Sequence, residues 1–132
     1  MTTDINRRIS AVHECCHAVI AFRRGIGIAE ITIEGDNPKF IPTFSGWLRL
    51  CASEVNVAAV FSAGIIGQKH FYPDYENGDN VRDMRRLRLI LWSKNRREGE
   101  EFVRRELQNP LTIGQIERLT ERLLLEETIR FK

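Results

Sequence analysis

Residues 9–34 read ISAVHECCHAVIAFRRGIGIAEITIE. Two periods meet in this stretch. Ile5, Ile9, Val12, Cys16 and Val19 recur at helical spacing, so the first part predicts a helix with one buried stripe. Thr3 or Asp4 can N-cap it, and Gly25 and Gly27 stop it after Arg24. Ile28–Glu34 then alternates apolar with polar residues and is rich in β-branched side chains. It predicts a strand with Ile31 and Ile33 inward.

Working outward, residues 35–46 hold two prolines and two glycines and predict a loop or an irregular edge. Gly46–Cys51 (GWLRLC) is expected as a short second strand. Ser53 can N-cap a second helix running to His70, whose apolar face is Val57, Val60, Phe61, Ile65 and Ile66. After a loop over 71–80, a third helix is expected from Asn80 or Val81 to Asn95, with Met84, Leu87, Ile90 and Leu91 inward. Gly99 and Asn109-Pro110 punctuate two more helices, over 98–108 and 112–130. The last carries Ile116, Leu119, Leu123 and Ile129 at helical spacing. The expected fold class is α+β and mostly α-helical, one domain over 1–132. The first helix would pack on a small sheet and a C-terminal helical bundle.

Composition narrows the function. The 132 residues are 42% hydrophobic and 29% charged, which suits a packed soluble domain and not a disordered chain. No apolar run approaches the ~18 residues that span a bilayer, and MTTDINRR is followed by no signal-peptide core. A formal charge of +2 is too mild to argue for nucleic acid. Three cysteines, two of them adjacent, make no disulfide framework and suit a reducing cytoplasm.

The chemistry lies in His13-Glu14-Cys15-Cys16-His17, an H-E-x-x-H motif. On a helix the two histidines stand one turn apart on one face and can share a zinc ion. Glu14 lies about 100° round the helix, where it reaches a metal-bound water rather than the metal. The metal lowers the water's pKa and the carboxylate takes its proton. Cys15 and Cys16 point away from the histidines and read as small buried hydrophobes. Two histidines leave the site short of a protein ligand. The remaining candidates are His70, Asp74, Glu76, Asp79 and Asp83.

AVHECCHAVIAF…GIAEITIEG resembles the peptidase domain of FtsH-type ATP-dependent zinc metalloproteases, in which a strand of this type follows the motif. VNVAAVFSAGIIGQ is similar to the family's helix with paired small residues, which pack beneath the zinc helix. The family's third zinc ligand is an Asp at the start of a later helix, and that region here reads NGDNVRDMRRLRLIL. The resemblance, over residues 9–95, implies a zinc peptidase with His13, His17 and Asp83 as metal ligands and Glu14 as general base. Asp79 is the alternative third ligand. Asp83 is favoured because Met84 and Leu87 follow it with the family's apolar spacing; either carboxylate can instead cap the helix.

The 132 residues carry Cys15-Cys16 where the family has small residues, and contain no G-x-x-x-x-G-K-[ST] loop. The expectation is a stand-alone peptidase domain, cytoplasmic, cutting a peptide or an unfolded protein segment aligned on the Ile28–Glu34 strand. A non-catalytic binding or regulatory module that keeps the fold is the alternative. No membrane partner is expected. The arginine-rich stretch over 82–105 reads as a solvated face rather than a nucleic-acid surface, and Leu119, Leu123, Leu124 and Leu125 offer a helix-mediated homo-oligomer. Trp47 and Trp92 are expected in the core or at a subunit contact.

Overall fold

The computed structural model describes residues 4–35, 38–75, 80–88 and 93–131. The elements run α1 (Asp4–Arg23), β1 (Ile28–Thr32), β2 (Lys39–Pro42), α2 (Phe44–Cys51), α3 (Glu54–Phe71), α4 (Asn80–Leu87), α5 (Lys94–Glu106), α6 (Pro110–Glu126) and β3 (Thr128–Arg130). The chain is mostly helical, with one small antiparallel sheet. No single described helix is long and apolar enough to cross a membrane.

The first helix is expected to bury one stripe, yet every residue of α1 from Ala11 to Ala21 is buried. Helix α3 packs on one side of it, α6 on another, and β1 and β2 also meet it. An element enclosed on all sides must place its polar residues inside as well, so His13, Glu14 and His17 are interior groups. Close packing on α3 depends on small residues. Ala59, Ala63, Gly64 and Gly67 are buried along it, and a Cβ on Gly67 would collide with the Cys16 side chain. Cys15 and Cys16 are free, buried thiols, as expected of small core hydrophobes. Burial pushes the Cys15 thiol up to about 12 and that of Cys16 well above the ordinary range, so both stay uncharged.

Three expected elements differ in type or extent. GWLRLC is helical, within α2. Its alternation suggests a strand, but Thr43 N-caps the segment by accepting a hydrogen bond from Gly46 N–H at 3.0 Å. The helix after Asn80 ends earlier than Asn95, because Ser93 N-caps a new helix starting at Lys94. Residues 128–130 leave the helical course. Glu127 takes φ 65°, its N–H donating to the Leu123 carbonyl, and Thr128–Arg130 form β3. Ile129 is thus buried from a strand.

The added strand changes the sheet. Its order is β2-β1-β3, so β1, the strand expected to align a peptide, is central and paired on both sides. Ile31 pairs with Phe40 on one side and Ile129 on the other. Thr32 and Thr128 hydroxyls lie 2.7 Å apart, and Arg130 pairs with Glu30 at 3.0 Å. Trp47, expected in the core or at a subunit contact, is about half exposed, and Trp92 lies outside the described residues.

Helix α5 approaches α3 through Gly99, where an added Cβ would lie 2.5 Å from the Ala58 Cβ and 2.6 Å from the Ala59 nitrogen. Backbone cannot yield there as a flexible side chain would. Gly99→Ala is therefore expected to destabilise the fold by about 1–3 kcal/mol despite alanine's better helix propensity. Thermal unfolding followed by circular dichroism reads it; an unchanged or higher Tm would show that α5 does not seat on α3 at this point.

Candidate metal centre

The pairing of α1 with α3 builds the site. Val60, Gly64 and Gln68 stand at intervals of four on α3, opposite His13 and His17 at the same interval on α1. His17 meets Val60 and His13 meets Gln68, so the helices run antiparallel. Gly64 lies beneath both rings. A Cβ there would stand 2.5 Å from His13 Nε2 and 2.6 Å from His17 Nε2.

Helix α4 supplies the third group. Asp83 is 5% exposed, and its Oδ2 lies 2.9 Å from His13 Nε2 and 2.9 Å from His17 Nε2. The two Nε2 atoms are 3.1 Å apart. Asp83, the favoured third ligand, is brought to the histidines, while Asp79 and Glu76 lie outside the described residues. Asp74 and His70 are exposed; His70 stands edge-on to Phe71 at the end of α3. Met84, expected inward, is exposed, because the buried face of α4 runs through Asp83 and Leu87 instead.

Proton placement shows what this triangle requires. His17 Nδ1–H donates to the Val60 carbonyl at 2.6 Å, and His13 Nδ1–H donates to Gln68 Oε1 at 3.2 Å. Neutral rings protonated at Nδ1 present lone pairs at Nε2. Two lone pairs and a carboxylate oxygen then converge, and only positive charge reconciles them. A proton does so in part. Burial works to lower the His17 pKa, but the Asp83 charge and hydrogen bond outweigh it and push it up to about 9. Burial likewise works to raise the Asp83 pKa, but His17 and His13 hold that carboxyl below the usual carboxylate range.

A zinc ion meets the same requirement. Tetrahedral zinc with bonds of about 2.0–2.1 Å sets its ligand atoms about 3.3 Å apart, and the three edges here are 2.9–3.1 Å. The donor set, two imidazoles and one carboxylate, is one zinc accepts. The ring nitrogens facing away are held by carbonyl oxygens, the outer contact that fixes a ligating histidine's tautomer. The residues therefore fit the ion.

Glu14, the expected general base, is buried beside them. The ligand atoms of His13, Glu14 and His17 lie within 4.8 Å of one another. From β2, Phe40 stacks on the His17 ring with centroids 5.7 Å apart, while Phe61 meets it edge-on. Gln68 and Phe40 touch the histidines and lie outside the H-E-x-x-H motif, while Gly64 belongs to the small-residue pair already expected beneath the first helix. The Val60–Gly64–Gln68 stripe, matching the spacing of the histidines, is the signal that points to Gln68.

Replacing Gly64 by Ala is expected to fill the space under the rings and bring zinc per chain near zero. Elemental analysis of refolded protein tests this, and full zinc content would mean that the ion does not use both Nε2 atoms.

The raised His17 pKa sets a second expectation. Its charge stabilises the metal-free fold fully below about 6.5, and that contribution is lost as pH rises through about 9. Zinc uptake at pH 7 must displace this proton, so zinc affinity should climb about tenfold per pH unit between 7 and 9. Calorimetry in buffers of different ionisation enthalpy would count the proton released; none released at pH 7 would refute the assignment of His17.

No protein-family model matches the chain, and no curated protein or solved structure matches it.

Proposed function

We propose that this chain is a zinc-dependent peptidase similar to the FtsH-type protease domain, working on peptides or unfolded protein segments in the cytoplasm. The observation that carries the reading is the convergence of His13 Nε2, His17 Nε2 and Asp83 Oδ2 over Gly64, with Glu14 buried at their side. His13, His17 and Asp83 would hold the ion. When bound, zinc supplies a Lewis acid for the scissile carbonyl and lowers the pKa of a water molecule.

The remaining work falls to the chain. Val60 and Gln68 keep the imidazoles turned toward the ion by accepting their Nδ1 protons. Glu14 takes the proton of the attacking water on its carboxylate and passes it to the departing amine nitrogen. A carboxylate at that position suits hydrolysis, since a purely structural zinc site has no use for it. Central strand β1 is paired on both sides, so alignment of an extended peptide falls to β2. That strand has an unpaired edge among the described strands, and its Phe40 lies against His17. Backbone hydrogen bonds along such an edge hold a substrate with little demand on its sequence.

Glu14→Gln separates binding from chemistry. It is expected to keep about one zinc per chain and to lose at least about a hundredfold in hydrolysis of an unfolded protein substrate. Asp83→Ala is expected to lose both zinc and activity. A Glu14→Gln protein that still cleaves would end the general-base role. Folded wild-type protein that takes up no added zinc would end the peptidase reading altogether.

A further inference from the structure

A cavity lies on the far side of α1 from the histidines. Ala18, Val19 and Phe22 follow His17 round the helix, and at about 100° per residue they face away from His13 and His17. The cavity measures about 610 Å³, within the ~300–1,000 Å³ range of small-molecule sites and far above an ordinary packing void.

Its walls differ in chemistry. The α1 side and the following segment are apolar, with Val19, Phe22, Ile26 and Ile28. Phe22 is 64% exposed, a large aromatic left open at this site. The α6 side is a polar ladder. Gln115, Arg118 and Arg122 all line the cavity at intervals of one helical turn, with Leu119 between them. Arg122 is engaged with Glu126 at 2.6 Å. Arg118 has no acidic partner within ion-pair distance among the described residues. The buried Gln115 Oε1 meets no hydrogen-bond donor there either, which leaves an amide ready to present either end to a guest.

An apolar trough with guanidinium groups along one wall is asymmetric in the way an amphiphile is. We propose that this cavity binds a single-chain amphiphile with one carboxylate. Its alkyl body lies against Val19, Phe22, Ile26 and Leu119, and its carboxylate is held by Arg118 with Arg122 beside it. Planar guanidinium matches a carboxylate with two parallel N–H···O bonds, which gives the head its place. Burial of the alkyl body removes apolar surface from water, which gives the affinity.

Decanoate is the probe, titrated calorimetrically into the full chain below the concentration at which it self-associates. The expected result is saturable binding of about one decanoate per chain. Binding should be about tenfold weaker in Arg118→Gln, and weaker for decanol than for decanoate. Arg118 is exposed, so this variant is expected to fold, and its far-UV circular dichroism verifies that. Amide shifts on binding should centre on Val19, Ile26 and Leu119. Absence of saturable binding would overturn the proposal. Equal affinity for decanol with no effect of Arg118→Gln would reduce the cavity to an apolar sink and overturn it too. Shifts centred elsewhere, or sedimentation showing that the face is closed by a second copy of the chain, would do the same.

Discussion

The fold is organised around buried groups that need positive charge among them, a proton at the least. His13, His17, Glu14 and Asp83 are all nearly inaccessible to water, and burying charge or unpaired polar atoms is among the costliest things a protein does. The structure offsets that cost by geometry. Each imidazole has a carbonyl for its Nδ1 proton, and each Nε2 turns to the same Asp83 oxygen. Such an arrangement works only if α1, α3 and α4 are held to within a fraction of an ångström. That is why the α1–α3 contact is lined with alanine and glycine, not with larger side chains that could fill space more loosely.

From this follows the placement of everything else. A helix carrying these groups must be covered all round, and α3, α6 and the sheet do so. The outer elements are tied to α1 by ion pairs at its surface, Arg7 to Glu127, Arg8 to Glu121 and Arg23 to Glu106. Partly exposed pairs of this kind contribute little individually. The apolar cluster that α1 shares with Ile31, Val103, Ile116, Leu123 and Ile129 holds the layers together. The sheet reaches the site through β2, where Phe40 covers the His17 ring.

The sequence makes the centre of this arrangement more legible than its margins. The HECCH spacing, the glycine stop, the strand at Ile28 and the Ser53 cap are strong local signals, and the structure has each of them. The spacing that favours Asp83 in the sequence is not the spacing that buries it. The expected apolar pair Met84 and Leu87 is not the buried face; Asp83 and Leu87, four apart, are. A carboxylate occupying a core position shifts the apparent phase of a short helix, and pattern reading takes the apolar residue beside it instead. Helix α2 misleads in the opposite way. Phe44, Trp47 and Leu48 follow helical spacing but are exposed, so the pattern marks no core. Strand β3 is hidden because Ile129 continues the stripe of α6, and the residue that ends the helix at positive φ is Glu127, where a glycine would have announced the turn.

The outer contacts of the histidines also bear on how a bound ion would behave under the proposed reading. In many metal sites a carboxylate accepts the far proton of a ligating imidazole and makes the ring a stronger donor. Here both acceptors are neutral, an amide oxygen of Gln68 and the backbone carbonyl of Val60. Neutral acceptors fix the tautomer without pushing electron density toward the ion, which leaves Asp83 as the anionic member of the set. An ion held by two weakly polarised imidazoles and one carboxylate keeps more of its positive charge than one held by strongly polarised rings. That residual charge favours ionisation of a nearby water, and it is the reason to look for chemistry, rather than cross-bracing alone, at the point where α1, α3 and α4 meet.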